Sequence, residues 1–283
     1  MRCNVNIASI MLLAVAVVTA CHTTTPDSAV CSRATVPLDY LPALRGDYFK
    51  LQSRAVGRPL HIYVSFPESY EKNLQARYPV VYVLDGDSLF PILAASQLFI
   101  NYDEGVPEAI VVGIAYGSLD PATNKRGFDF SAPTPDADRN PGGAPAFHAF
   151  LKSDLIPEVE KRYRADLSRR VLYSAFTDPD LFWGRVASNP SLDPGRERFF
   201  SQPAAATRND LGLVVTSGSR DHPASRENAL AWFKAWTDRD DAAWTLKTAT
   251  TEGGTHAADS SNSYRLGMVW LFARSQSLVP ARR

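Results

Sequence analysis

The chain has 283 residues, of which 45% are hydrophobic and 21% are charged. Its 30 basic side chains are balanced by 30 acidic ones, so the formal net charge is zero. This is the composition of a globular protein with enough chain for one large core. Because the basic residues are dispersed among the acids, the charge pattern argues against nucleic-acid binding.

The N-terminal residues resemble an export signal. Arg2 is followed by an almost wholly apolar run over residues 7–20, which is short for a membrane span and typical of a signal-peptide core. The run ends in Val18-Thr19-Ala20-Cys21, which resembles the lipobox of bacterial lipoproteins. We therefore expect residues 1–20 to be removed and Cys21 to be lipidated. The lipid would anchor the protein at the bacterial cell envelope, on the outer membrane or facing the periplasm. An ordinary secretory peptide is the alternative.

The sequence predicts a lipid-anchored tether over residues 21–44 and a single domain over residues 45–283. The tether is rich in Thr, Ser and Pro, as linkers commonly are. Cys3 lies in the leader and Cys21 would carry lipid, so Cys31 is the one remaining thiol. We therefore expect no intrachain disulfide in the fold.

The first half of the expected domain is arranged around a buried strand. Residues 79–84 form a continuous apolar run, which is typical of a strand covered on both faces of a mainly parallel sheet. A polar turn over residues 85–88 follows, and ligands in such sheets bind at the carboxyl ends of the strands. We expect a helix over residues 91–100, with Pro91 at its first position.

The remaining predicted elements alternate between strands and helices. Strands are predicted over residues 47–54, 60–66, 109–115, 169–173, 211–216 and 244–250, and helices over residues 146–163, 227–236 and 264–273. This alternation predicts an α/β sheet in one domain. The polar region over residues 118–144 is long enough to be a lid or a substrate-binding loop.

Several short motifs follow one another in an order that resembles the esterase family of α/β hydrolases, which includes siderophore esterases and esterase D-like proteins. They are Leu84-Asp85-Gly86-Asp87, Val111-Val112-Gly113-Ile114, Arg126 with Asp129 and Pro133, Gly142-Gly143-Ala144, Tyr163-Arg164, Arg169-Arg170-Val171-Leu172, Pro179-Asp180-Leu181-Phe182, Asn189-Pro190-Ser191-Leu192 and Gly253-Gly254-Thr255-His256. The resemblance covers about residues 45–275. It implies the α/β-hydrolase fold, a mostly parallel twisted sheet with helices on both faces. It also implies hydrolysis of a small-molecule ester or siderophore-like ligand, without a cofactor.

The resemblance implies a Ser-His-acid triad. A serine hydroxyl is a poor nucleophile until a histidine takes its proton, and a carboxylate must hold that imidazole in the correct tautomer. In this fold the acid precedes the histidine along the chain. Asp221 matches the acid, with Glu227 as the alternative, and His256 matches the base, with a solvated loop histidine as the alternative. The backbone N–H groups around Gly86 and Asp87 match part of the oxyanion hole.

The nucleophile of this triad is missing from the sequence. The family carries a G-x-S-x-G elbow directly after the strand that matches residues 169–172, and no G-x-S-x-G occurs in this chain. Residues 173–182 resemble the end of the helix that should follow the elbow, so we expect a deletion of roughly ten residues. We expect the truncated central helix to uncover apolar surface beside the sheet and to lower stability.

Ser174 is the first candidate to replace the missing serine. It follows a strand, but Tyr173 and Ala175 flank it where the elbow has glycines. Ser219, beside the expected acid, is a weaker candidate. The five histidines are scattered, with no H-E-x-x-H motif and no paired cysteines, so the sequence predicts no metal site.

The sequence therefore predicts an envelope-anchored member of the esterase family that is catalytically impaired. One alternative is a non-catalytic protein that binds a ligand in the retained pocket. The other is an active serine esterase with a relocated nucleophile, Ser174.

Overall fold

The computed structural model describes residues 41–133, 142–173, 178–192, 206–239 and 241–277. The predicted signal peptide, the lipidation site Cys21 and the candidate nucleophile Ser174 lie outside these residues. Within these ranges, no helix combines the length and the apolar composition that a membrane crossing requires.

Eight strands form one sheet in the described part of the chain. They are β1 Gly46–Gln52, β2 Pro59–Ser65, β3 Tyr78–Val83, β4 Ile110–Ala115, β5 Ala165–Tyr173, β6 Gly184–Ser188, β7 Gly212–Gly218 and β8 Thr245–Thr251. Their order across the sheet is β1-β2-β4-β3-β5-β6-β7-β8. β2 is antiparallel to both of its neighbours, and every other neighbouring pair is parallel. The predicted mostly parallel sheet is therefore confirmed, and the loops after β3, β5, β6, β7 and β8 meet at its carboxyl edge.

Helices cover both faces of this sheet. They are α1 Gly86–Glu104, α2 Arg126–Asp129, α3 Ala144–Phe150, α4 Ile156–Arg162, α5 Pro223–Thr237 and α6 Ser260–Ser277, with a π-helical turn over Leu151–Leu155 and 3-10 turns at Pro42–Leu44 and Pro179–Leu181. Alternate residues of β3 point to opposite faces. Val80 and Tyr82 pack in the cluster that includes α3 and α4, whereas Val81 and Val83 pack in the cluster that includes α1 and α6. The region predicted as a long loop, residues 118–144, contains α2.

The start of α1 differs from the prediction. The helix begins at Gly86, and Pro91 lies inside it rather than at its first position. The boundary is set by Asp85, which adopts a left-handed φ of 55° and whose carbonyl accepts the N–H groups of Ser88 at 3.0 Å and Leu89 at 2.9 Å. A Cβ at Gly86 would lie 2.7 Å from the backbone nitrogen of Ile114, so a glycine is needed where the helix starts against β4. The polar segment predicted as a turn is therefore the first turn of the helix.

β6, the short strand that carries Arg185, is not predicted by the sequence pattern. Arg185 is 1% exposed, and Phe182 beside the strand is also 1% exposed. Nη1 of Arg185 donates to the carbonyls of Pro179 at 2.9 Å and Phe182 at 3.1 Å. Nη2 of Arg185 donates to the carbonyl of Asp178 at 2.5 Å. Burial lowers the pKa of Arg185 to about 10, so the guanidinium stays protonated at neutral pH. A charged side chain thus occupies an interior position that a hydrophobicity pattern does not reveal.

The connection between β5 and β6 is short. Only residues 174–183 separate the two strands, whereas a crossover between parallel strands usually takes about a dozen residues or more. Its described part contains one 3-10 turn, Pro179–Leu181. Leu172 and Phe182, which border the connection, are each 1% exposed, so no apolar surface is uncovered at these two residues. The Phe182 ring packs edge-on against Tyr82, with 5.8 Å between ring centroids.

We expect the replacement Arg185→Met to lower the free energy of unfolding by about 2 kcal/mol or more, because it leaves buried carbonyls of the β5–β6 connection without a donor. Chemical denaturation measures this loss. Arg265→Met is the control, since Arg265 forms a partly exposed ion pair with Glu104, and such pairs contribute less than about 1 kcal/mol. Equal losses in the two variants would mean that Arg185 does not hold the connection.

Candidate active site

The structure brings the predicted acid and base into contact. Asp221 follows β7, and its N–H donates to the carbonyl of Gly218 at 3.0 Å. His256 lies in the loop between β8 and α6. The distance between His256 Nδ1 and Asp221 Oδ1 is 2.9 Å. The Asp221 side chain is 1% exposed and the His256 side chain 60% exposed, so a buried carboxylate holds an imidazole that faces solvent.

The contact fixes the tautomer of a neutral His256. An ionised carboxylate only accepts hydrogen bonds, so Nδ1 carries the proton and Nε2 carries the lone pair. Asp221 Oδ1 also accepts the backbone N–H of His222 at 2.7 Å, which holds the carboxylate in place. Among the described residues, Asp221 Oδ2 is buried without a hydrogen-bond partner. This pairing is the arrangement that a general base requires.

Asn189 joins the acid loop to the base loop. It follows β6 with a left-handed φ of 45° and is 3% exposed. Its Oδ1 accepts the N–H of Gly218 at 2.7 Å, and its Nδ2 donates to the carbonyl of His256 at 2.9 Å. The sequence analysis named Asn189 only as part of a motif and gave it no role. The available signal was an asparagine before a proline, since Asn tolerates the left-handed conformation better than most residues.

The two loops also contact each other through their backbones. The N–H of Arg220 donates to the carbonyl of Gly254 at 2.8 Å, and the N–H of Ser219 donates to the carbonyl of Thr251 at 2.9 Å. A Cβ at Gly218 would lie 2.4 Å from the carbonyl oxygen of Gly254, so this approach requires a glycine. The acid and base are thus carried by one braced unit at the ends of β6, β7 and β8.

The remaining candidates near the acid make structural contacts. The hydroxyl of Ser219 accepts the N–H of Gly253 at 2.8 Å and contacts Glu252 Oε1 at 3.2 Å, so it links the two loops. Glu227, the alternative acid, lies exposed on α5, and His222 is exposed. In the described part of the chain, no group of three His, Cys, Asp or Glu side chains could hold a metal ion.

The predicted oxyanion segment is the start of α1. The first N–H groups of a helix have no intrahelical acceptor, which leaves those of Gly86 and Asp87 directed beyond the helix end. The carboxylate of Asp87 accepts the N–H groups of Tyr116 at 2.8 Å and Gly117 at 2.7 Å. It therefore ties the helix start to the end of β4. Asp85 is held by Arg126, with 2.6 Å between Nε and Oδ1.

A groove of about 740 Å³ opens beside this segment. Gly86 and Asp87 line it together with the aromatic rings of Tyr48, Tyr63 and Phe90. The ring centroids of Tyr48 and Tyr63 are 5.0 Å apart, and those of Tyr63 and Phe90 are 5.6 Å apart. Neither Asp221 nor His256 lines the groove. The groove can hold a small molecule against aromatic faces, next to the helix start.

The end of β5 lies between the two parts of the site. Tyr173, its last residue, pairs with Val83 of β3 on one side and with Val186 of β6 on the other. β3 leads into Gly86, and β6 leads into Asn189, which contacts His256. The carboxyl end of β5, after which the resemblance expects the nucleophile, therefore lies between the predicted oxyanion segment and the base loop along the sheet edge.

We expect the replacement Asn189→Asp to destabilise the fold by about 1–3 kcal/mol, because it keeps an acceptor for Gly218 but removes the donor to the His256 carbonyl. Hydrogen–deuterium exchange should become faster in residues 253–257. Asn101→Asp is the control, since Asn101 donates one hydrogen bond to a carbonyl at the far end of α1, that of Val106 at 2.8 Å. Unchanged exchange in residues 253–257 would contradict the bracing role.

The strand order, the mostly parallel sheet and the helices on both faces define the α/β-hydrolase fold. Residues 53–175 match the model of the family described as "Putative esterase", so this part of the chain is similar to that family. The family resemblance found in the sequence is therefore confirmed.

One curated relative is the ferri-bacillibactin esterase BesA of Bacillus subtilis (strain 168). It is 32% identical over 166 residues, which are 50% of this chain and 57% of the relative. The match thus spans little more than half of that protein's length.

Solved structures share the fold. The BES protein from Bacillus cereus superposes with a TM-score of 0.66 at 22% identity, over 80% of this chain and 94% of that one. An IroE-like serine hydrolase from Shewanella oneidensis superposes with a TM-score of 0.66 at 21% identity, over 80% of each chain. The siderophore hydrolase EstB from Aspergillus nidulans superposes with a TM-score of 0.63 at 21% identity, over 80% of this chain and 93% of that one.

Proposed function

We propose that this chain is an ester hydrolase of the esterase family whose catalysis is severely impaired. The observation that carries the proposal is the hydrogen-bonded pair of His256 and Asp221 beside a connection of only residues 174–183. A nucleophile elbow needs a strand, a sharp turn and a helix, and the sequence has no G-x-S-x-G. Loss of a triad nucleophile typically lowers the rate by about 10⁶.

The ligand class we propose is a small-molecule ester of the siderophore type. Support comes from relatives that are named as a ferri-bacillibactin esterase and as siderophore hydrolases. The aromatic groove beside Gly86 and Asp87 has room for such a ligand. This groove also favours a second candidate function, in which the protein binds the ligand without cleaving it.

Labelling with a fluorophosphonate probe, read by intact mass, tests the impairment. The probe reports an activated serine wherever it lies, and we expect no serine adduct on the folded protein. A stoichiometric adduct that disappears in Ser174→Ala would instead establish the relocated nucleophile and contradict the impairment. The variant His256→Gln is the control, because an activated serine would lose its labelling with the base.

If no adduct forms, thermal unfolding with a panel of esters and siderophores tests the binding function. A ligand that binds only the folded state raises the melting temperature, and the shift grows with the logarithm of the free ligand concentration once that exceeds Kd. A shift without turnover is the expected result for a binding protein. No shift with any ligand of the panel would count against it.

We also propose that Cys21 is lipidated and holds the protein at the cell envelope. The proposal rests on the apolar leader and on Val18-Thr19-Ala20-Cys21. In a bacterial host fed labelled palmitate, the protein should carry the label and sediment with membranes. Cys21→Ala should remove both properties, and Cys31→Ala is the matched control. Label that persists in Cys21→Ala would contradict the proposal.

A further inference from the structure

His256 has the geometry of a nucleophile as well as that of a base. Its Nδ1 is hydrogen-bonded to a carboxylate that is 1% exposed, and its own side chain is 60% exposed. Among the described residues, no hydrogen bond or ion pair engages Nε2. The lone pair of Nε2 is therefore available to solvent and to a substrate, and the Asp221 carboxylate is placed to stabilise the positive charge that develops on the ring when Nε2 forms a bond.

We infer that His256 is itself the nucleophile of a slow hydrolysis of activated esters, those whose leaving group is a phenolate or a thiolate. The inference rests on the proposed function, because an intact serine elbow would use the same imidazole as its base. Where the serine is missing, a carbonyl carbon that approaches the base loop meets Nε2 directly.

The reaction takes two steps. In the first, the Nε2 lone pair forms a bond to the carbonyl carbon, and the bond from that carbon to the leaving oxygen or sulfur breaks, so that phenolate or thiolate departs with the electron pair. The positive charge on the acylated ring is held by Asp221 through Nδ1–H. In the second step water adds to the acyl carbon, the C–N bond breaks with its electrons returning to Nε2, and a carboxylic acid is released with a proton passing to solvent.

This chemistry limits the substrate. An imidazole leaves from the tetrahedral adduct more readily than an alkoxide does, so an ordinary alkyl ester reverts to the starting ester. Phenolates and thiolates are better leaving groups, so aryl esters and thioesters proceed to the acyl-imidazole. A serine elbow, which forms an alkyl ester intermediate, cleaves both kinds of substrate.

The other described histidines differ from His256 in their surroundings. The Nδ1 of His61 lies 2.7 Å from the hydroxyl of Tyr48. Burial lowers the pKa of His148, whose Nε2 is itself buried. His222 is exposed but, within the described ranges, contacts Asp221 only through its backbone N–H. His222 is therefore the matched control, an exposed histidine close to the same carboxylate whose ring the carboxylate does not hold.

The test measures initial rates of p-nitrophenyl acetate hydrolysis by the full chain after treatment with a fluorophosphonate. We expect His256→Gln to lower the rate to that of a solvent-exposed histidine, and His222→Gln to leave it unchanged. Asp221→Asn should lower the rate by about tenfold or more, the equivalent of one charge-assisted hydrogen bond. The amide of the new asparagine can also donate to Nδ1, which would move the proton to Nε2 and remove the lone pair. Ethyl acetate should not be cleaved.

A cinnamoyl aryl ester supplies a direct readout, because its imidazole adduct has its own near-ultraviolet band. The band should appear with the wild type and His222→Gln and be absent from His256→Gln. Equal rates for the wild type and His256→Gln, with no serine adduct, would overturn this inference and leave the proposed function standing. Activity that the fluorophosphonate abolishes, with a serine adduct, would overturn both.

Discussion

The buried guanidinium of Arg185 braces the β5–β6 connection, which is the shortest connection between neighbouring parallel strands in the described part of the sheet. It bonds to the backbone carbonyls of Asp178, Pro179 and Phe182 in that connection. Leu172 and Phe182, at the two ends of the connection, are each 1% exposed. β5 stays paired between β3 and β6, which sets the spacing between the start of α1 and the loops that carry the acid and the base.

The bracing of the acid and base is independent of the β5–β6 connection. The contacts that hold Asp221 and His256 come from β6, β7 and β8, through the amide of Asn189 and the close approach of Gly218 to Gly254. The oxyanion segment is held separately, by Asp87 at the end of β4. The site therefore consists of two supported parts, with the end of β5 between them.

The sequence predicted those parts of the fold that have strong periodic or apolar patterns. β3 and β4 were recognisable because a run of Val and Ile is buried on both faces. β6 was missed because Arg185 interrupts a strand of five residues. The start of α1 was misplaced because Pro91 resembles a first-turn proline, whereas the backbone of Asp85 sets the boundary.

For the site, the order of acid and base along the chain predicted that Asp221 and His256 would follow neighbouring strands. The contact between them is observed. Their catalytic roles stay predictions. The role of Asn189 could not be predicted, because it depends on the unrecognised strand that precedes it.

The independent support of the acid and base loops has a consequence for how such chains are classified. The hydrogen bonds that brace the base loop end on the carbonyls of residues 251, 254 and 256, so they would hold the loop whatever side chain stood at position 256. An ordered base loop therefore reports that the sheet is intact, and says little about catalytic competence. Surveys of enzyme content should therefore give more weight to the segment after β5 than to Asp221 and His256.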